Sequence, residues 1–326
     1  MVPEPALVER FRTDLDALIA PDARIGVAVS GGPDSLALLL LATAARPGLV
    51  EAATVDHGLR AESRAEAEMV AALCKRLGVP HAILAVSWDE TPMSAIQERS
   101  REARYALLDS WISERGLAAL ATAHHLDDQA ETLLMRLARG AGVRGLGAMR
   151  PLAWIPKSDR LLLRPLLGWR RSELEQVCLA AGLEPVADPS NDDGQFERVR
   201  VRQALAATDL DPEMLARSAA HLAAADEALD CAAEQEWQRS VTEESGRITY
   251  RPSDAPDELV RRTVAQAIAA LAVEGPPDLR GAEVDRVVET LRSGRTGTLR
   301  GVQFAGGDRW TFVPAPKRTR PVDNLR

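Results

Sequence analysis

The feature that most constrains the fold is a regular alternation of apolar runs and helical patterns over the first 140 residues. Buried strands are predicted where apolar residues run together, at 25–30, 50–56, 81–87 and 117–123. Helical periodicity follows each run, at 35–45, 61–77, 94–115 and 127–139. A repeat of about 30 residues per strand and helix predicts an α/β fold with a parallel sheet and right-handed crossovers.

The character of the chain changes after Pro151. A hairpin is predicted to turn at 157–159, followed by a helix at 171–181 that ends at Gly182, and then by a polar loop at 188–202. We therefore predict two domains, an α/β domain at 1–204 and a smaller, mainly helical one at 205–326. The elements expected in the second domain are helices at 212–239, 256–273 and 282–292, a hairpin turning at 306–307 and a disordered end from Pro314.

Several classes of protein are excluded by composition. No apolar run is long enough to span a bilayer, and the first residues lack a signal-peptide pattern, so a cytoplasmic protein without membrane contact is expected. Cys74, Cys178 and Cys231 lie far apart and form no CxxC pair. That spacing argues against a disulfide framework, a zinc ribbon and a cysteine-held iron–sulfur cluster.

The net charge of −8 argues against a nucleic-acid partner, but its distribution does not. Residues 136–202 contain 12 basic and 8 acidic side chains, and residues 292–326 contain 8 basic and 2 acidic ones. Two basic segments on an acidic protein allow a polyanion to bind on one face. A mixed surface with chance clusters is the alternative.

The segment SGGPDS, residues 30–35, follows the first predicted strand and opens a helix. Its glycines allow backbone N–H groups to approach an anion, and the helix N-terminus favours negative charge. It is not a Walker loop, since GxxxxGK[ST] is absent. Asp34 would repel a triphosphate unless Mg²⁺ stood between them, so we predict a magnesium nucleotide here. The alternative is a strand–helix corner capped by the aspartate.

The segment HHLDDQAET, residues 124–132, also follows a strand and opens a helix. Asp128 and Glu131 lie three residues apart on one helix face, which suits Mg²⁺ binding as well as plain helix capping. His124 and His125 have no third soft ligand nearby, so a polar contact to nucleotide is predicted rather than zinc.

Weaker candidates lie elsewhere. His57, in VDHGLR after the second strand, is expected near the adenine or ribose, and Arg101 and Arg104 share one helix near the cleft. The sequence GAGVRG at 140–145 matches GxGxxG but follows a helix, so a dinucleotide site is rejected in favour of a mobile loop over the active site. Alternation in ERVRVR brings Arg198 and Arg202 together in either a strand or a helix.

Together these motifs resemble the PP-loop, or N-type ATP pyrophosphatase, superfamily, and within it the tRNA(Ile)-lysidine synthetase family. The match runs in order over residues 24–204 and rests on these segments: SGGPDS, VDHGLR, Ala103–Tyr105, HHLDDQAETLLMRLARGAGVRGLGAM, RPLL at 164–167 and DPSNDDGQFERVRVR. Some members have a further C-terminal domain after the helical one, and this chain is expected to be a short form without it. Val199 departs from the family, where asparagine usually follows the arginine.

The resemblance implies an ATP-dependent ligase that acts on the wobble cytidine of an isoleucine tRNA with a CAU anticodon. The base is adenylated with loss of pyrophosphate, and free lysine then replaces AMP to give lysidine. The resemblance implies ATP, Mg²⁺, that tRNA and free L-lysine as ligands, and it allows a homodimer.

Site residues carry over from the family as expectations. Asp34, Asp128 and Glu131 are expected to bind the metal or the lysine ammonium, with Asp34 and Asp128 as metal ligands, and Arg198 to stabilise the adenylated intermediate. The residues expected to bind ATP are Ser30, Gly31, Gly32, Pro33, Asp34, Ser35, His57 and Arg101. Those expected to bind tRNA are Arg136, Arg139 and Arg202.

Three alternatives remain open from the sequence. A PP-loop tRNA thiolase would share the loop, but the paired cysteines expected of it are missing. An amide-forming ligase of the NAD or GMP synthetase kind fits HHLDDQAET poorly. A non-catalytic tRNA-binding protein would not need the carboxylates Asp34, Asp128 and Glu131, which are all present.

Overall fold

The computed structural model describes residues 2–58, 63–88, 96–183, 197–252, 254–272, 279 and 281–316. The chain divides into two compact units, Met1–Leu222 and Ala223–Arg326. The division falls within one long helix, Pro212–Ser240. The predicted functional boundary after residue 204 lies before this division and stays a prediction.

The first unit is built on a six-stranded sheet with the order β3-β2-β1-β4-β6-β5. Its strands are β1 Ile25–Ala28, β2 Val50–Asp56, β3 His81–Ala85, β4 Ala119–Ala121, β5 Leu152–Trp154 and β6 Leu161–Leu163. Its helices are α1 Pro5–Asp16, α2 Pro33–Ala45, α3 Ser63–Leu77, α4 Ile96–Arg115, α5 Leu126–Ala138, α6 Val143–Leu146, α7 Arg171–Ala180 and α8 Glu197–Ala206. The helix α9, Pro212–Ser240, runs into the second unit.

Five of these strands pair in parallel, which confirms the predicted α/β architecture. The predicted hairpin is also confirmed, because β5 pairs antiparallel to β6 and Lys157 in the turn has φ +64°. Gly182 ends the segment after α7 with φ +67°, a conformation that glycine adopts without strain. The β1, β3 and β4 strands are shorter than predicted, while β2 has the predicted limits.

Apolar residues cover both faces of this sheet. Ile25 and Val27 face a core shared with α1, α2, α3 and α7, whereas Gly26 faces α4. A Cβ atom at Gly26 would lie 2.5 Å from Ile112 and 2.6 Å from Trp111. Because real Cβ contacts are longer, α4 can approach the middle of the sheet only where β1 has no side chain.

Three helices of the first unit were not predicted: α1, α6 and α8. Val8, Phe11 and Leu15 lie on one face of α1 and enter the main core. The end of the predicted polar loop is helical, since α8 begins at Glu197; its earlier part, 188–196, lies outside the described residues. The GAGVRG segment contains one short helix, α6, and the Arg136 guanidinium donates to the Gly145 and Ala148 carbonyls at 2.7 and 3.0 Å.

The second unit combines helices with a five-stranded antiparallel sheet of order β7-β8-β11-β10-β9. Its further elements are β7 Val241–Glu244, β8 Arg247–Tyr250, α10 Asp257–Leu271, α11 Gly281–Arg292, β9 Thr296–Leu299, β10 Val302–Ala305 and β11 Trp310–Pro314. The three predicted helices and the hairpin at 306–307 are confirmed, whereas β7, β8 and β9 were missed. Pro314, where disorder was expected to begin, ends β11, and residues 317–326 lie outside the described part.

A buried arginine, Arg262, joins α10 to α9 in the second unit. Arg262, 9% exposed, donates to Asp226, Asp230 and Glu258 at 2.7, 2.5 and 2.9 Å.

At the hairpin of this unit, a Cβ atom on Gly306 would lie 2.0 Å from the Leu291 carbonyl oxygen, so β10 can turn against the end of α11 only with glycine there.

The three cysteines are free thiols. Cys74 and Cys178 are buried in the core of the first unit, whereas Cys231 on α9 is exposed. Within the described residues, no helix has the length and apolar character needed to cross a membrane.

Candidate active site

The loop between β1 and α2 is shaped by its own serine hydroxyls. Ser35 Oγ donates to the Gly32 carbonyl at 2.9 Å, accepts from the Ser30 amide at 3.1 Å and lies 3.2 Å from Ser30 Oγ. Gly31 has φ +89°, where a side chain would be strained. These bonds fold the loop back over the N-terminus of α2, whose free N–H groups and dipole favour an anion. Pro33, the first residue of α2, has no N–H to offer.

Asp34 enters the site from the first turn of α2. Its Oδ1 is buried and has no hydrogen-bond partner among the described residues, and its Oδ2 lies 3.5 Å from His125 Nε2. A buried carboxylate oxygen without a partner is costly unless it meets a cation or a donor. Asp34 is therefore available as a ligand.

The N-terminus of α5 supplies two more carboxylates beside Asp34. Asp128 accepts a hydrogen bond from the His125 backbone N–H at 3.0 Å, so it caps the helix while its Oδ2 lies 3.6 Å from His125 Nε2. Asp127 accepts from the Arg171 backbone N–H at 2.8 Å and lies 3.6 Å from His125 Nδ1. Three carboxylates thus surround one imidazole.

His125 is a buried cation in this structure. Burial alone lowers the pKa of His125, but the charged contacts with Asp127, Asp34 and Asp128 outweigh it and raise that pKa to about 10. At 3.5–3.6 Å these are close charge contacts rather than short hydrogen bonds. Burial likewise opposes ionisation of Asp127, yet His125 and the Arg171 amide lower its pKa to about 2. The imidazolium holds the carboxylates of α2 and α5 together.

His124, the preceding residue, has the opposite protonation state. Burial lowers the pKa of His124 to about 4, so its ring is neutral at pH 7, and Nδ1 lies 3.0 Å from Thr122 Oγ1. The two adjacent histidines therefore differ in charge: His125 is a cation and His124 is a neutral polar group.

Glu131, one turn further along α5, is paired with α8. Arg202 Nε donates to its Oε1 at 2.7 Å, and Arg198 Nε lies 3.3 Å from its Oε2. Arg198 also lies 3.8 Å from Asp128. The structure thus brings together Asp34, Asp128, Glu131, Arg198 and Arg202, as the sequence predicts.

The chemistry of these carboxylates fits Mg²⁺ bound together with a nucleotide. Within the part of the chain that the structure describes, no three His, Cys, Asp or Glu side chains form a complete metal site. Magnesium needs no such cage, because one or two carboxylates, substrate phosphates and water complete its shell. Asp34 and Asp128 contact the same nitrogen of His125, and Asp34 Oδ1 is buried without a partner.

Other predicted residues lie around this centre with varied environments. The Nδ1 atom of His57, after β2, is buried without a partner in the described residues, and Arg101 stacks on Tyr105 with 5.1 Å between guanidinium carbon and ring centre. Arg136 is half-buried and donates to loop carbonyls, while Arg139 is exposed and pairs with Glu197. None of these contacts tests the predicted roles in binding ATP or RNA.

Sequence reasoning missed two contributors to the site. Asp127 neighbours the predicted Asp128, but its contact with the Arg171 amide depends on α7 packing beside α5. Cys178 on α7 donates its thiol to the Pro33 carbonyl at 3.2 Å and so supports the loop from behind. No sequence signal links Cys178 to that loop.

Comparisons with known proteins agree with this geometry. The model of the PP-loop domain family matches residues 7–208. A tRNA(Ile)-lysidine synthase of Novosphingobium aromaticivorans is 48% identical over 94% of both chains, and one of Zymomonas mobilis is 40% identical over 92% of this chain and 91% of its own. A solved U34-tRNA thiolase, NcsA of Methanococcus maripaludis, shares the fold with a TM-score of 0.55, at 15% identity, over 67% of this chain and 78% of its own.

Proposed function

The chain belongs to the PP-loop family of tRNA(Ile)-lysidine synthases, and we propose that it uses ATP to join free lysine to C2 of the wobble cytidine in an isoleucine tRNA with a CAU anticodon. The observation that carries this proposal is the convergence of Asp34, Asp128, Glu131 and Arg198 beside the 30–35 loop. Lysidine, AMP and pyrophosphate are the products.

In the first step, the C2 oxygen of cytidine attacks the α-phosphorus of ATP and pyrophosphate leaves. The backbone N–H groups of Gly31 and Gly32, with Ser30 and the N-terminus of α2, bind the phosphates. Ser35 acts mainly on the loop itself, since its hydroxyl is bonded within it. His57 completes the proposed ATP contacts.

Asp34 and Asp128 would hold Mg²⁺, whose charge would offset that of the phosphates and so favour attack by a weak oxygen nucleophile. His125 contacts both carboxylates and holds them close together. Preorganised charge of this kind stabilises a transition state without reorganisation during the reaction.

In the second step, the neutral amine of lysine attacks C2, and the C2–O bond to AMP breaks. We propose that Arg198 stabilises the phosphate of the adenylated base. Its position beside Asp128 and Glu131, with the side chain 43% exposed, supports this role. Glu131, held by Arg202, is the proposed contact for the lysine ammonium before it loses its proton.

The tRNA must be bound beyond its anticodon, because a methionine tRNA carries the same three bases. We assign this task to residues 205–326, which end in a basic segment, with Arg136, Arg139 and Arg202 near the catalytic centre. An anticodon loop is single-stranded, so its base can enter a pocket without opening a duplex. A homodimeric assembly is proposed from the resemblance alone, and light scattering tests it.

The test of this function is incorporation of labelled lysine into isoleucine tRNA with CAU, with methionine tRNA as the control and Mg²⁺ either present or withheld. Label in the first tRNA only, dependent on ATP and Mg²⁺, is the expected result. Asp34→Asn should abolish incorporation, whereas Asp22→Asn, an exposed aspartate on the same unit, should not. Pyrophosphate release with another acceptor and no lysine label would overturn the assignment while keeping the nucleotide chemistry.

A further inference from the structure

Three arginines gather on the α4 side of the active-site edge, which we name the arginine cluster: Arg101, Arg104 and Arg164. Arg101, Arg104 and Tyr105 lie at positions i, i+3 and i+4 of α4 and so share one face. The Arg101 guanidinium covers the Tyr105 ring at 5.1 Å. Arg164, directly after β6, is buried and interacts with the Tyr105 hydroxyl.

The positive charge of the cluster is not balanced by a carboxylate in the described residues. Arg164 donates from Nη1 to the Arg150 carbonyl at 2.7 Å, and its buried Nε has no partner there. Arg101 and Arg104 are exposed, whereas Arg164 is buried. Burial first, and then the neighbouring Arg101, lower the pKa of Arg164, with Tyr105 opposing both. Guanidinium groups that oppose one another's charge are stabilised when an anion lies between them.

Arg164 is separated from the 30–35 loop along the edge of the sheet, whereas Arg104 is close to His57, after β2, whose pKa is lowered by burial and then by the charge of Arg104. The loop follows β1, whereas Arg164 follows β6, and β4 lies between these strands in the sheet. With about 4.8 Å between neighbouring strands, Arg164 and the loop are about 10 Å apart along the edge. The neutral His124, at the end of β4, lies between them and is close enough for the charges of Arg164 and Arg101 to affect it.

We propose that the arginine cluster is a second phosphate-binding subsite, which takes a backbone phosphodiester of the RNA next to the nucleotide being modified. The assignment rests on the proposed function, and it moves Arg101 from ATP to RNA. ATP is tied by its phosphates to the 30–35 loop. In the proposed arrangement, the base of the modified nucleotide reaches the α-phosphorus of ATP from the side of β4. The backbone phosphate of that nucleotide then lies several ångströms further along the sheet edge, at the arginine cluster.

The first experiment measures binding of a synthetic CAU anticodon stem–loop RNA by fluorescence anisotropy at several salt concentrations. Arg101→Gln and Arg104→Gln should each weaken binding roughly tenfold or more, since each removes a charge-assisted contact. Each should also reduce the slope of log affinity against log salt by about 0.7, the value for one contact with a single strand. Arg99→Gln, an exposed arginine of the same helix, is the matched control and should leave the slope unchanged.

The second experiment identifies the source of the phosphate. Loop phosphates are replaced one at a time by neutral methylphosphonates; at one position the wild type should lose affinity and the R101Q/R104Q double variant should lose none. ATP binding without RNA, measured by equilibrium dialysis, should be the same in wild type and double variant. Weaker ATP binding with an unchanged RNA salt slope would overturn the proposal and assign the cluster to ATP.

The outcomes also separate this proposal from the proposed function. If the wild type forms no lysidine but the cluster variants still change the RNA salt slope, the proposed function fails and the subsite stands. If lysidine forms and the cluster variants bind RNA like Arg99→Gln, the subsite is wrong and the function stands. If the wild type does not bind the RNA, both are wrong.

Discussion

Replacing His125 by glutamine should make the first unit less stable in a way that depends on pH. The side chain of His125 is only 4% exposed and contacts Asp34, Asp127 and Asp128. Removing the imidazolium leaves three carboxylates near one another without their shared cation. Breaking a buried ion pair from one side is strongly destabilising.

The size of the effect follows from the pKa of His125. That pKa is about 10 in the folded chain, against 6.5 for an unperturbed histidine, and each unit corresponds to about 1.4 kcal/mol, which gives a ceiling of about 5 kcal/mol. Since the side chains of Asp34 and Asp127 are 28% and 24% exposed, solvent screens part of their interaction with His125. We therefore expect the charge of His125 to stabilise the folded chain by about 3 kcal/mol. Because the folded pKa is raised, the stabilisation is complete below pH 6.5 and is lost as the pH rises towards 10.

The assay is urea unfolding of wild type and His125→Gln between pH 6 and pH 10 without Mg²⁺, with hydrogen exchange in α2 and α5 reporting on the first unit. The difference in free energy of unfolding should be largest at pH 6 and should shrink by about 3 kcal/mol towards pH 10. His81→Gln is the control, because burial lowers the pKa of His81. The difference in free energy of unfolding between wild type and His81→Gln should therefore not shrink between pH 6 and pH 10. A constant difference for His125→Gln, or an imidazole that titrates near pH 6.5 by NMR, would refute the reasoning.

Three further predictions concern other contacts. Arg262→Met removes the guanidinium that contacts Asp226, Asp230 and Glu258 and should cost the second unit about 3 kcal/mol in urea unfolding, while Arg262→Lys should recover part of that loss. Gly306→Ala places a methyl group against the Leu291 carbonyl and should lower the free energy of unfolding by about 2 kcal/mol in the same assay. Gly281→Ala is the control: its Cβ would lie 3.5 Å from the flexible end of an arginine, so the free energy of unfolding should hardly change. Glu131→Gln should slow lysine transfer at least about a hundredfold while ATP–pyrophosphate exchange with tRNA continues; loss of both reactions would contradict a role in the second step alone.

The fold of the first unit was predictable because its central strands β1, β2 and β4 are short, apolar and largely buried. The β2 strand has the predicted limits, since Gly48 and the polar residues after Asp56 interrupt the apolar run on either side. The second sheet was harder to predict. The β7 strand, VTEE, is polar and mostly exposed at the edge of its sheet, so neither apolar alternation nor a buried run marks it.

The residues of the candidate site were predictable one by one, but their partners were not. The sequence places Asp128 and Glu131 on one helix face, yet Glu131 is paired by arginines about seventy positions away in the chain. The opposite protonation states of His124 and His125 also depend on the surroundings, because only His125 has three carboxylates within 3.6 Å. Side-chain type and spacing predict which residues lie in the site, whereas their protonation states depend on the tertiary packing around them.

The burial of two thiols makes this chain suitable for site-specific labelling without mutagenesis. Burial raises the pKa of Cys74 to about 12 and that of Cys178 to about 11, so neither is a thiolate near neutral pH. Cys231 is exposed on α9. A maleimide dye at pH 7 should therefore attach to Cys231 in the native protein, and slow incorporation of a second and third dye would measure how often the core around α3 and α7 opens.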